Sequence, residues 1–151
     1  IPIHFSAVLD GAQANAGAGT GSAGIGSATM IFDDATSMFS WDIEWSGLTG
    51  NAVAAHFHGP ATPNQNAGVE VNFGGISGLN SPSIGSTIIN AAQANDLIAG
   101  LWYINIHTIA NLGGEIRGQV LRSDAPVPVP GTALLMILSL RGLGLRRRAS
   151  A

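Results

Sequence analysis

The sequence contains no cysteine and no lysine, and only 10% of its 151 residues are charged. The absence of cysteine excludes both a disulfide framework and a thiolate metal site. All six basic residues are arginines, and four of them lie within residues 141–151, so residues 1–124 carry nine acidic residues, two arginines and a net charge of −7. Because binding to phosphates needs a basic surface, this part of the chain is not expected to bind nucleic acid.

Composition along the chain predicts three regions. Residues 1–124 have the length of one ordinary domain, residues 125–131 form a proline-rich linker, and residues 132–151 form an apolar and basic C-terminal anchor. The chain opens on "IPIHFSAVLDG" without Met or a basic segment, which favours an exported protein whose signal peptide has been removed.

Several short alternating segments predict strands in the first region. In "SMFSWDIEWSGL" (37–48) aromatic and aliphatic residues alternate with polar ones, the period of two expected of a half-buried strand. "TIINAAQANDLIAG" (87–100) predicts one short helix, capped by Asn90 or Thr87 and followed by Gly100. The glycine-rich stretch "DGAQANAGAGTGSAGIG" (10–26) predicts a flexible loop. The fold class is therefore all-β, an antiparallel Greek-key-like β-sandwich or barrel with one short helix, plus a C-terminal apolar helix.

The C-terminal region predicts a short membrane anchor. An apolar helix over 131–145 would be about 22 Å long, which is short of the roughly 30 Å hydrocarbon core. The basic cluster that follows it would lie on the cytoplasmic side. An amphipathic or disordered terminus is the alternative. The predicted anchor residues are Leu134, Leu135, Met136, Ile137, Leu138, Arg146, Arg147 and Arg148.

All four histidines fall within predicted strands. His56 and His58, in "AVAAHFHGPA" (52–61), are two residues apart and share one face of their strand, which suits chelation. His107 and His4 lie on other strands. A set of nitrogen ligands without a thiolate suits Cu(II) or Zn. The alternative is that these histidines serve only the fold, satisfied by backbone carbonyls or by polar neighbours.

The residues of two blocks carry a family resemblance. "SGLTGNAVAAHFHGPA" and "AQANDLIAGLWYINIHTIANLGGEIRGQV", together with "LDGAQ", resemble the CHRD domain found in chordin and in many bacterial exported proteins. The resemblance implies a secreted β-sandwich and no particular reaction. In addition to the histidines, the resemblance implies a set of structural residues. Two of them, Glu115 and Arg117, are expected to form an ion pair. The motif residues are Gly59, Tyr103, Asn105, Thr108, Gly113, Gly114, Glu115 and Arg117.

Two further resemblances concern the tail and the histidines. The order of proline-rich segment, apolar helix and arginine cluster is similar to a bacterial PEP-CTERM sorting tail, although "VPVP" (127–130) lacks the usual Glu. A weaker resemblance, to the layout of copper-zinc superoxide dismutase, implies copper ligands at His56, His58 and His107. The bridging histidine, the cysteines and the anion-guiding arginine of that enzyme have no counterparts here.

Two functions follow as hypotheses. The first is an exported, membrane- or surface-anchored, non-enzymatic binding or structural module, at the periplasmic face of the inner membrane or the cell surface. Its expected partners are the membrane and either a larger membrane complex or a surface polysaccharide. The second is a copper- or zinc-binding protein that uses His56, His58, His107 and His4.

Overall fold

Eight antiparallel strands form one continuous sheet in the computed structural model, which describes residues 1–123. The strands are β1 (Pro2–Asp10), β2 (Ile25–Asp33), β3 (Met38–Ser46), β4 (Ala52–His58), β5 (Val69–Val71), β6 (Ser83–Ile88), β7 (Trp102–Thr108) and β8 (Ile116–Arg122). Two short α-helices, α1 (Phe73–Ser77) and α2 (Ala91–Ile98), and a 3₁₀ turn at Asn15–Gly17 complete this part of the chain. The predicted all-β antiparallel class is confirmed.

The sheet curls into a half-barrel with the strand order β5-β4-β7-β8-β1-β2-β3-β6. Phe39 on β3 and Phe57 on β4 have ring centroids only 5.0 Å apart, although four strands lie between β3 and β4 in the sheet. Helix α1 packs against both β4 and β6, and so bridges the two ends of the sheet. The single sheet thus curls around one core without pairing its edge strands β5 and β6, and the described residues form no second, separate sheet.

The inner face of the half-barrel holds the apolar core. Phe39, Phe57 and Trp102 are fully buried, and the Phe39 ring meets the other two edge to face at 5.0–5.5 Å. Each large side chain buried in this way contributes about 1.5–3 kcal/mol through the hydrophobic effect. Trp41 is buried as predicted from its strand pattern, while Trp45 is only partly buried.

Helix α2 confirms the predicted helix and its cap. The Asn90 side chain accepts a hydrogen bond from the Gln93 N–H at 2.9 Å, and the Gln93 side chain accepts one from the Asn90 N–H at 3.0 Å. This reciprocal pair satisfies two backbone groups that the first helical turn leaves free. Thr87, the alternative cap, belongs to β6.

Two elements between 72 and 88 were not predicted. Strand β5 ends at Val71, because the Asn72 side chain caps α1. Strand β6 was not predicted because its apolar residues lie on its exposed face. Ser83 points into the core, whereas Ile84 and Ile88 are exposed. A strand with its apolar side chains outward gives no signal of a buried face.

Loops 11–24 and 59–68 cover the second face of the sheet over β7 and β8. The Gln119 side chain donates to the Ala61 carbonyl at 2.8 Å, and its backbone N–H donates to Gln13 at 3.4 Å. The glycine-rich stretch is a loop, as predicted, but it is not a bare linker, because Ala14 is fully buried. The two loops give this face a polar, largely buried layer of side chains.

Candidate metal site

Three of the four histidines lie side by side on the second face of the sheet. His56 and His58 project from the same face of β4 because they are two residues apart. The register of β4 with β7 pairs His107 with Ala54 and so places His107 beside His56. Residues that are about fifty positions apart in the sequence are therefore neighbours.

The histidine cluster has the dimensions of a metal site. One ring nitrogen from each of His56, His58 and His107 lies within 4.8 Å of the others. The closest pair is His56 Nδ1 and His107 Nε2, at 3.3 Å. Nitrogens around a tetrahedral ion with bonds of about 2.0–2.1 Å lie about 3.4 Å apart. The cluster therefore needs only a small adjustment to place three nitrogens around one ion.

Backbone carbonyls orient two of the three imidazole rings. His107 Nδ1 lies 2.8 Å from the Leu112 carbonyl oxygen, and His58 Nδ1 lies 2.9 Å from the Ala67 carbonyl oxygen. A carbonyl only accepts, so each Nδ1 carries the proton and each Nε2 keeps its lone pair. His58 and His107 thus present unprotonated Nε2 atoms, which is the usual arrangement of a metal ligand with a second-shell acceptor.

The surroundings keep His56 and His58 neutral. Burial, followed by the neighbouring His107 and His58, lowers the pKa of His56 to about 4. Burial is also the largest cause that lowers the pKa of His58. Neutral imidazole is the form that binds metals. At neutral pH both rings are therefore already in the uncharged form that binds a metal ion.

His4 is not part of this cluster, contrary to the prediction. It lies on β1, where it pairs with Ile31 on β2, and its side chain is exposed. Strands β7 and β8 separate β1 from β4 in the sheet. Strand membership alone could not reveal this separation, because it depends on the pairing of distant segments.

Tyr103 and Arg117 support the loop that orients His58. The Tyr103 ring stacks on the His58 ring, with centroids 4.9 Å apart and an interplanar angle of 4°. The Ala67 N–H donates to the Tyr103 hydroxyl at 3.1 Å. The Arg117 guanidinium donates to Asn66 Oδ1 and to the Thr62 carbonyl, both at 3.1 Å. These contacts fix the segment whose Ala67 carbonyl meets His58.

The ion pair expected between Glu115 and Arg117 does not form. Glu115 instead accepts hydrogen bonds from neutral donors: Ser22 Oγ at 2.8 Å, Thr108 Oγ1 at 2.8 Å and both the N–H and the hydroxyl of Thr49. The reason is that Glu115 precedes β8 and lies under the loops, whereas Arg117 is within β8 and faces Tyr103.

Glu115 joins three segments around the turn that carries the Leu112 carbonyl. Its carboxylate binds Thr108 at the end of β7 and Asn111 within the turn, and its own carbonyl accepts from Thr20 at 2.8 Å. Burial raises the pKa of the Glu115 carboxyl, but hydrogen bonds from Thr49, Thr108 and Ser22 outweigh it and lower the pKa to about 2. Sequence reasoning missed Thr20, Ser22 and Thr49, since they come from loops without a local signal.

Asn105 and two glycines shape the same turn. Asn105 Nδ2 donates to the Gly113 carbonyl at 3.0 Å. Gly114 has a φ of 116°, and a Cβ atom there would lie 1.9 Å from Asn105 Oδ1. Only glycine fits this conformation and this close approach. The turn that orients His107 therefore requires glycine at position 114.

Comparison with known proteins identifies the family. A family model described as the CHRD domain matches residues 5–120, more than three quarters of the chain. The chain belongs to the CHRD domain family. No curated protein and no solved structure matches it. The resemblance inferred from the two sequence blocks is thus confirmed.

The residues on which the family resemblance was inferred surround the histidine cluster. Tyr103 and Arg117 support the loop beside His58, and Glu115 and Thr108 support the turn beside His107. Gly59 donates its N–H to the Gly68 carbonyl at 3.2 Å and so closes the loop 59–68 at its base. The motif predicted as structural is therefore largely a scaffold for two of the three imidazoles.

The predictions for the C-terminal region lie outside the described residues. They comprise the linker 125–131, the apolar helix and the anchor 132–151 with its similarity to a sorting tail. None of the helices within residues 1–123 has the length and the apolar character of a membrane-spanning helix.

Replacing Glu115 with Gln is expected to remove a stabilisation that exists only while the carboxylate is ionised. The pKa of Glu115 is about 2 in the folded chain, against an ordinary 4.5. The stabilisation is therefore complete above pH 4.5 and is lost as the pH falls from 4.5 towards 2. By linkage it amounts to about 3 kcal/mol.

Urea denaturation of the parent and of Glu115→Gln at neutral pH and in acid measures this contribution. The difference in the free energy of unfolding should be largest at neutral pH and should shrink in acid. Other carboxylates titrate equally in both proteins, so the difference isolates Glu115. A difference that stays constant with pH would contradict the assignment.

Proposed function

We propose that this CHRD domain is a metal-binding module that holds one copper(II) ion through His56, His58 and His107. The observation that carries the proposal is that the two nitrogens of the His58 ring, and likewise those of the His107 ring, have different roles. Two of them give one nitrogen to a backbone carbonyl and turn the other into the cluster. Histidines that served only the fold would not need their remaining nitrogens to converge.

One unsatisfied ring nitrogen of the cluster supports this function. Among the described residues, His58 Nε2 is buried and has no hydrogen-bond partner. A buried polar nitrogen without a partner costs about 1–3 kcal/mol. His56 Nδ1 lies 3.3 Å from His107 Nε2, so these two nitrogens share one hydrogen bond when either of them carries a proton. A metal ion held by the three rings would give His58 Nε2 a partner and would replace the contact between His56 and His107.

The ligand set favours copper(II) over other divalent ions of the first transition row. Imidazole nitrogens suit copper and zinc, and at a given nitrogen site copper(II) binds more tightly than zinc. The cluster contains neither carboxylate nor thiolate, so hard cations such as calcium and magnesium are disfavoured. Zinc is the competing occupant, and a competition titration separates the two.

The cellular setting is a proposal that the sequence alone supports. The tail at 132–151 would hold the copper-binding body at the periplasmic face of the inner membrane or at the cell surface. In that setting a larger membrane complex or a surface polysaccharide would be the partner. The domain would act there as a non-enzymatic binding module, and copper would be its ligand.

Replacing any one of the three histidines with Ala is expected to weaken copper(II) binding by roughly 100-fold, because about a third of the ligand bonds is lost. Calorimetric titration of metal-free protein with copper(II) should show one ion per chain for the parent. His4→Ala is the matched control, since His4 is also a strand histidine but lies away from the cluster. It should bind like the parent.

Three results would overturn the proposal. One is a parent that binds no copper at equimolar concentration. Another is a His107→Ala variant whose affinity equals that of His4→Ala. The third is zinc binding that copper(II) cannot displace, which would assign the cluster to zinc instead.

A further inference from the structure

The positively charged side chain of Arg117 lies near the histidine cluster, with the Tyr103 ring between them. The Tyr103 ring packs face to face on His58, and the guanidinium carbon of Arg117 lies 3.5 Å from the Tyr103 ring centroid. Because β7 lies between β4 and β8, His58 and Arg117 are on opposite sides of Tyr103. The order of the stack is therefore imidazole, phenol, guanidinium.

The charge of Arg117 is buried and has no carboxylate partner. Arg117 is only 2% exposed. Its hydrogen bonds go to neutral acceptors, the Asn66 amide oxygen and the Thr62 carbonyl. The sheet register places Asp10 opposite Arg117, but the Asp10 carboxylate accepts the Gln13 N–H instead. Within the described residues no acid forms an ion pair with this guanidinium.

An unpaired buried arginine needs a reason, because an ionised side chain away from water is costly. Arginine stays protonated even where burial lowers its pKa, as it does for Arg117. The field of this charge reaches the cluster, because only the Tyr103 ring lies between the Arg117 guanidinium and the His58 ring. It therefore acts on any cation held at His58.

We propose that Arg117 raises the reduction potential of copper bound at the histidine cluster, because its positive charge disfavours copper(II) more than copper(I). The inference rests on the proposed copper site and adds a redox role to it. Repulsion from one fixed charge is twice as large for a doubly charged ion as for a singly charged one. Arg117 therefore weakens copper(II) binding more than copper(I) binding.

The redox change itself is simple. Bound copper(II) gains one electron from an external one-electron donor such as ascorbate and becomes copper(I). No bond in the chain is formed or broken, and the three imidazoles remain neutral in both states. The chain contributes the ligands and the field of Arg117, and both are present before the electron arrives.

The test neutralises Arg117 without removing it. Asn66→Asp keeps the shape of the side chain that accepts from Arg117 Nη1 at 3.1 Å, and replaces the amide with a carboxylate. The ratio of copper(I) affinity to copper(II) affinity should fall about tenfold. That change lowers the midpoint potential of the copper-loaded protein by about 59 mV for a one-electron couple.

Asn64→Asp is the matched control. It adds the same charge to the same loop at another exposed position, without a hydrogen bond to Arg117. Its potential should stay at the parent value.

Arg117→Lys is a second test variant, which keeps the positive charge and changes the shape of the side chain. Its potential should remain closer to the parent than to Asn66→Asp.

Redox titration and competition with chelators specific for each copper oxidation state give the readouts. An Asn66→Asp potential equal to that of the parent would overturn the role of Arg117 and leave copper binding intact. An equal fall in Asn64→Asp or in Arg117→Lys would also overturn it. A parent that binds neither copper ion would instead remove the proposed function itself.

Discussion

Copper(II) at a free concentration about a thousandfold above its Kd is expected to stabilise the folded protein by about 4 kcal/mol. The three ligands come from β4 and β7, so they converge only when these strands pair. An ion that binds the folded chain and not the unfolded one shifts the equilibrium towards the fold. For a domain of this size the melting temperature should rise by roughly 10–20 °C.

Scanning calorimetry with and without copper(II) measures this rise. His4→Ala should retain it in full, because His4 lies on β1, away from the cluster. His58→Ala should lose most of it. The prediction fails if His58→Ala and the parent are stabilised equally, since copper would then bind elsewhere on the chain.

Gly118→Ala is expected to destabilise the fold by about 3 kcal/mol, near the upper end of the cost of overpacking. Gly118 lies within β8, where a Cβ atom would be 2.3 Å from the Val8 carbonyl oxygen on β1. The obstacle is backbone, so no side-chain rotation can relieve it. The two strands would have to separate beside Arg117.

Chemical denaturation of Gly118→Ala and Gly50→Ala makes the comparison direct. A Cβ atom at Gly50 would meet no heavy atom within 4 Å, and the backbone there has no strained φ. Its replacement should change stability by no more than about 0.5 kcal/mol. Similar losses in the two variants would contradict the close approach of β8 to β1.

Much of the local structure could be predicted from the sequence. The alternation in 37–48 indicates β3, and "NAAQ" at 90–93 carries the capping residues that begin α2. Strand β6 could not be found in this way, since its isoleucines point to solvent and a serine points to the core. The hydrophobic pattern identifies a strand only where the buried face is the apolar one.

The candidate site was predictable only in part. His56 and His58 share a face by strand geometry alone, and the lack of cysteine excludes thiolate ligands. That His107 joins them, and that His4 does not, depends on which strands are neighbours. The two carbonyls that orient His58 and His107 belong to loops, and backbone groups leave no residue-type signal in a sequence.

The sequence by itself determined the all-β class, the capped helix and a histidine pair facing one way. Each of these follows from local backbone periodicity or from a side chain that bonds its own neighbours. Tertiary structure decided that Glu115 serves the turn beside His107, and that Arg117 stacks on Tyr103 instead of pairing with Glu115. These contacts join segments far apart in the chain, so strand order and loop packing had to form before they could exist.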